Sequence, residues 1–140
     1  MKRRVLFLCT GNSARSQMAE ALLRSHAGEL FDVASAGTSP ESIDIRTFAV
    51  LKRMGLATDG LRSKSIDEFR GQQFDFVITL CHKARQECAN FPDAGEQIAW
   101  DFADPKSKEG VASFEITLRE LSERIKVFTL VQAPAEKAAP

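Results

Sequence analysis

The stretch from Val5 to Ser16, Val-Leu-Phe-Leu-Cys-Thr-Gly-Asn-Ser-Ala-Arg-Ser, leaves this chain little freedom. Its apolar start is the mark of a strand buried on both faces. The chain must then turn sharply, at residues where Gly11 and Asn12 tolerate a positive φ. It enters a helix running through Met18, Leu22 and His26, for which Ser13 is the expected N-cap. A buried strand that feeds a helix through a tight turn commits the chain to an α/β arrangement.

The same twelve residues carry chemistry. Successive N–H groups of such a turn point inward, and a helix start adds unpaired donors and the positive end of its dipole. A phosphate-like oxyanion fits there, held by Thr10, Gly11, Asn12, Ser13, Ala14 and Arg15. The Arg15 guanidinium matches two oxygens at once. The electropositive setting favours a thiolate at Cys9, and Ser16 can donate a hydrogen bond to its sulfur. Cys9 is therefore a candidate nucleophile. The alternative is a cysteine that merely ends a buried strand, a common fate for free thiols. The agreement of strand, turn and helix around it favours the nucleophile.

Strand and helix go on alternating. Phe31–Ala36 reads as a second strand, closed by Gly37 and Pro40. Ile45–Met54 reads as a helix with Gly55 at its C-terminal end. Phe74–Cys81 reads as a third strand and Gln97–Asp101 as a short fourth. A last helix carries Phe114, Leu118, Leu121, Ile125 and Phe128 on one core-facing stripe. The expected architecture is a single-domain, four-stranded parallel sheet with helices on both faces, flavodoxin-like, over residues 1–131, with an Ala/Pro/Lys tail at 132–140 expected to be disordered. In such sheets the site lies at the carboxyl ends of the strands, where Cys9 and Cys81 are both expected.

With 140 residues and zero formal net charge, the chain can build a core without staples and offers no basic surface for nucleic acid. The apolar run after Lys2-Arg-Arg is too short for a signal peptide, and no stretch approaches a membrane span. A cytoplasmic protein without a membrane partner is expected. Nothing suggests an obligate interface, so a monomer is expected as well. Three cysteines in that compartment do not form a disulfide framework. His26 and His82 do not cluster with them at zinc spacing, so no metal is expected.

Cys81 and Cys88 flank a polar, helix-prone segment. Taken alone they are either small buried hydrophobes or, with Cys9 nearby, partners in a thiol relay. Seven residues of helix rise by about 10 Å, whereas a disulfide needs Cα atoms within roughly 7 Å. If these two thiols join, residues 82–88 must first unwind. Asp104 precedes Pro105, which stiffens its loop. At the sheet rim, Asp104 could protonate a leaving oxygen. Asp101 reads as structural.

These residues carry a resemblance. Cys9-Thr-Gly-Asn-Ser-Ala-Arg-Ser-Gln-Met-Ala-Glu20, Ser35-Ala-Gly37 and Asp104-Pro105 resemble the low-molecular-weight protein tyrosine phosphatase superfamily. Val77-Ile-Thr-Leu-Cys81 with Cys88, and Trp100 to Pro105, resemble its thioredoxin-coupled arsenate reductases. The resemblance covers essentially the whole chain before the tail. It implies Cys9 as nucleophile, Arg15 and Ser16 as helpers, Asp104 as acid, and Cys81 and Cys88 as a redox relay ending in a Cys81–Cys88 disulfide. It also implies an arsenate, phosphate or sulfate oxyanion as ligand and thioredoxin as partner, with no organic cofactor.

Two departures stand out. Ala14 replaces a cysteine found in some relatives. Lys64 stands where some members have an acid that helps hold a potassium ion with the residues matching Asn12, Glu20 and Ser35. Its ammonium could replace that ion, leaving Asn12, Glu20, Ser35 and Lys64 as a metal-free support of the loop. Two enzymatic readings follow: arsenate reduction, which uses all three thiols, and phosphate monoester hydrolysis through a phosphocysteine. The second is disfavoured as the main role. Lys106 follows Asp104-Pro105 where the phosphatase branch carries tyrosines, and the chain has none. A phosphocarrier-like module, which needs no relay thiols, ranks last.

Overall fold

A computed structural model describes residues 2–87 and 94–132. Four parallel strands, β1 (Arg3–Cys9), β2 (Phe31–Gly37), β3 (Phe74–Thr79) and β4 (Ala94–Ala99), form one sheet in the order β2-β1-β3-β4. Helices α1 (Arg15–Ala27), α2 (Ile45–Arg53), α3 (His82–Glu87) and α4 (Ala112–Gln132) connect or follow them. β1 is central, pairing Cys9 with Gly37 on one side and Leu8 with Thr79 on the other. The chain leaves β1 for β2 and later crosses back over β1 to β3. This makes the ends of β1 and β3 the topological switch point, the natural crevice of such a sheet.

Alternation along β1 divides the core. Val5 and Phe7 pack with Met18, Leu22, Phe114, Leu121 and Phe128 from α1 and α4. Leu6 and Leu8 face the other way, with Ala36 and Val77, against a 3-10 turn at Ile66–Phe69. The expected α4 stripe is buried along its whole length. α2 ends as its sequence suggests. Gly55 takes φ 75°, and the N–H groups of Gly55 and Leu56 donate to Lys52 O (3.0 Å) and Leu51 O (2.9 Å), closing a Schellman motif.

Several boundaries differ from the sequence reading. β3 stops at Thr79, so Cys81 lies beyond the strand and opens α3. β4 starts earlier and ends at Ala99. It is an edge strand and mostly exposed, so it lacks the apolar run that marks a strand. Gln132 closes α4, and the remainder of the tail lies outside the described residues, as does Cys88. Among the described residues, no helix is long and apolar enough to cross a membrane.

Candidate active site

The turn after β1 is stitched to the segment that follows β2. Thr38, Ser39, Glu41 and Asp44 donate backbone N–H bonds to the carbonyls of Cys9 (3.3 Å), Thr10 (2.9 Å), Gly11 (2.8 Å) and Ser13 (3.0 Å). Thr47 Oγ1 adds a second bond to Ser13 O, at 2.8 Å. With its carbonyls engaged on that side, the loop is left to offer its N–H groups to the opposite side. Gly37 has to be glycine for this approach, since a Cβ there would lie 2.6 Å from Thr10 O.

Asn12, not Gly11, takes the left-handed backbone, with φ 48°. Nor is Ser13 the N-cap. That position falls to Ala14, and no side chain caps the first turn of α1. Ser13 Oγ instead accepts from Lys106 Nζ at 3.1 Å. An uncapped helix start retains free donors, and here it opens onto a cavity.

That cavity has a volume of about 300 Å³. Cys9, Thr10, Gly11, Ser13, Ala14 and Arg15 line it from the loop, and Ser39, Glu41, Lys83, Asp104 and Lys106 complete its wall. Asn12 is fully buried behind the loop. Its Nδ2 donates to Ser16 Oγ (2.8 Å) and Ser35 Oγ (2.9 Å). Its Oδ1 accepts from Gln17 Nε2 (3.0 Å) and the Lys64 N–H (2.8 Å). Ser16 Oγ, which accepts from Asn12, stands 2.9 Å from Cys9 Sγ, close enough to donate its proton to a thiolate there.

The support continues below. Ser35 Oγ donates to Glu20 Oε1 at 2.6 Å. Lys64 Nζ lies 3.6 Å from the same carboxylate and donates to Arg62 O at 2.6 Å. Burial pushes the Lys64 pKa below the usual lysine value, with the Glu20 charge opposing it. Asn12, Glu20, Ser35 and Lys64 are thus brought together in one buried polar network. Among the described residues, no group of three or more His, Cys, Asp or Glu could hold a metal ion.

At the mouth, Arg15 Nη1 donates to Phe102 O (2.9 Å), and its Nη2 lies 4.0 Å from Asp104 Oδ2. Asp104 Oδ1 accepts the N–H of Lys106 at 3.0 Å and so starts a 3-10 turn at Pro105–Ser107. Arg46 holds the chain beyond that turn, donating to Lys108 O (2.7 Å) and Gly110 O (3.1 Å). Cys81 is buried beside the loop, its Sγ 3.5 Å from Thr10 Oγ1. The Ala84 N–H donates to that sulfur at 3.4 Å, so Cys81 caps α3. Asp101 is exposed and away from the cavity lining.

The wall residues Ser39, Glu41, Lys83 and Lys106 were not expected from the sequence. Only Lys106 gave a signal, by its place after Asp104-Pro105.

Residues 4–138 match the low molecular weight phosphotyrosine protein phosphatase family. The chain belongs to that family. Within it, the chain is 36% identical over 132 residues to the arsenate reductase of Halalkalibacterium halodurans, covering 91% of this chain and 95% of that one. The fold matches an arsenate reductase solved in its phosphate-binding state, with TM-score 0.82, 24% identity, and coverage of 92% and 98%. It also matches the thioredoxin-dependent arsenate reductase of Corynebacterium glutamicum at TM-score 0.75 and 26% identity, covering 93% of this chain and 61% of that one.

Proposed function

We infer that this family member reduces arsenate to arsenite. The observation that carries the reading is a second buried thiol, Cys81, in contact with Thr10 of the loop that follows the first. Hydrolysis of a phosphate ester has no use for it. The names carried by the chain's relatives agree.

The oxyanion sits on the N–H groups of residues 10–15 and the Arg15 fork. Cys9 attacks arsenic, and Asp104 gives a proton to the departing oxygen. Cys81 then attacks the Cys9 sulfur. The As–S electron pair stays on arsenic, which leaves as arsenite, and a Cys9–Cys81 disulfide remains. Cys88 attacks Cys81 and frees Cys9. A dithiol of the thioredoxin class returns the two electrons to the Cys81–Cys88 disulfide. α3 is helical as it stands, so the last bond requires it to open.

The test adds stoichiometric arsenate to fully reduced protein without other thiols, then counts thiols and maps the disulfide by mass. Loss of two thiols into a Cys81–Cys88 bridge is expected. Three intact thiols would remove the reductase reading. Phosphomonoester hydrolysis through a phosphocysteine is the second reading, supported by the shared pocket and by Asp104, and an aryl phosphate assay measures it.

A further inference from the structure

Lys106 holds its ammonium at the cavity mouth from two sides, 2.7 Å from Glu41 Oε1 and 3.1 Å from Ser13 Oγ. The mechanism above uses neither contact, and a carboxylate beside an anion site needs a reason to be there. We propose that the Glu41–Lys106 pair is a specificity determinant that admits an inorganic tetrahedral oxyanion and disfavours its organic monoesters; this rests on the reductase reading of the site.

The argument starts from the fourth oxygen. A tetrahedral ion seated on the loop and Arg15 directs one oxygen outward. In arsenate or phosphate that oxygen carries charge and open lone pairs, so the Lys106 ammonium can donate to it. In a monoester the same position carries a carbon substituent. Its apolar surface would be pressed against an ion pair that it cannot satisfy and must partly desolvate or separate.

The backbones of both partners are anchored by the machinery they would serve. Lys106 belongs to the Pro105–Ser107 turn whose first residue contact is the Asp104 carboxylate, and Pro105 is buried. Acid and ammonium therefore share one stiff turn. Glu41 donates its backbone N–H to Gly11 O at 2.8 Å, so the loop sets the backbone from which the exposed carboxylate reaches Lys106. Glu41 is then a positioning residue, acting through Lys106.

The test protects Cys9 of the full chain from iodoacetamide with inorganic phosphate or with phenylphosphonate, reading alkylation of Cys9 by mass. Phosphate is expected to protect the wild type at the lower concentration. Lys106→Ala and Lys106→Met should each lower the phenylphosphonate-to-phosphate ratio of half-protecting concentrations at least tenfold. Glu41→Ala should move the ratio the same way and add nothing on top of Lys106→Ala. An unchanged ratio, or equal weakening toward both anions, would overturn the proposal; additive shifts would overturn the role of Glu41. Protection requires no turnover, so a failure of arsenate reduction would register separately in the thiol count.

Discussion

Replacing Asn12 tests the claim that the anion loop rests on a polar support. Asn12→Ala removes all four side-chain bonds described above. The Lys64 N–H is left buried without its acceptor, which costs about 1–3 kcal/mol. Gln17 Nε2 keeps its bonds to Asn12 O and Arg62 O, so it adds little. Alanine at φ 48° carries a further penalty of roughly 1–2 kcal/mol. The total is about 2–5 kcal/mol, or a fall in melting temperature on the order of 10 °C for a domain of this size. Urea and thermal unfolding of the reduced protein measure it. Asn12→Gly removes the same bonds but not the backbone freedom, so it should be no less stable than the alanine variant. A loss under about 1 kcal/mol for Asn12→Ala, or an alanine variant clearly more stable than the glycine one, would refute the reasoning.

Other outcomes follow from the same contacts. The lowered pKa of Lys64 means that the unfolded chain holds that proton to higher pH than the folded one. Stability from this group therefore rises with pH across the window that ends near the ordinary lysine value of 10.5. Urea midpoints of Lys64→Met should lack that rise, and parallel profiles would contradict the linkage. The side-chain hydrogen bond from Arg46 lowers the pKa of Asp44. Its stabilisation is present above the unfolded value and lost as pH falls through the folded one. Asp44→Ala, which also removes the cap of α2, should lose about 1 kcal/mol at neutral pH, and the difference from wild type should shrink in acid unfolding. Asp104→Asn should slow turnover of arsenate about 10²–10⁴-fold while Cys9 alkylation proceeds at an unchanged rate. A slowed alkylation would mean that the carboxyl acts on the thiol instead of the leaving oxygen.

What was legible in the sequence was whatever is local. Val5–Leu8, the turn and α1 are contiguous, so their periodicity and spacing could be read directly, and Asp104 carried its own proline. The fold followed from alternation of apolar strands and helices. The start of β4 is hidden in the sequence because its exposed edge leaves only Ile98 and Ala99 as apolar marks beyond Ala94. Ser13 caps no helix because its hydroxyl is claimed by Lys106, far away in sequence. Glu41 gave no signal at all, since only the folded return from β2 brings it to the cavity. The polar support was read from a resemblance, and its connectivity, above all the Lys64 N–H on Asn12, belongs to the fold.

The ring cluster under the sheet also gives the chain an optical voice of its own. There is one tryptophan and no tyrosine, so under excitation too long in wavelength for phenylalanine the emission comes from Trp100 alone. That indole is buried, 6.1 Å from the Phe7 ring and 6.0 Å from Phe128, with the Arg124 guanidinium 5.5 Å above it. It lies two residues before Phe102, whose carbonyl holds Arg15. If Arg15 releases that carbonyl on taking an anion, a shift in the emission of this single unlabelled residue is the expected readout.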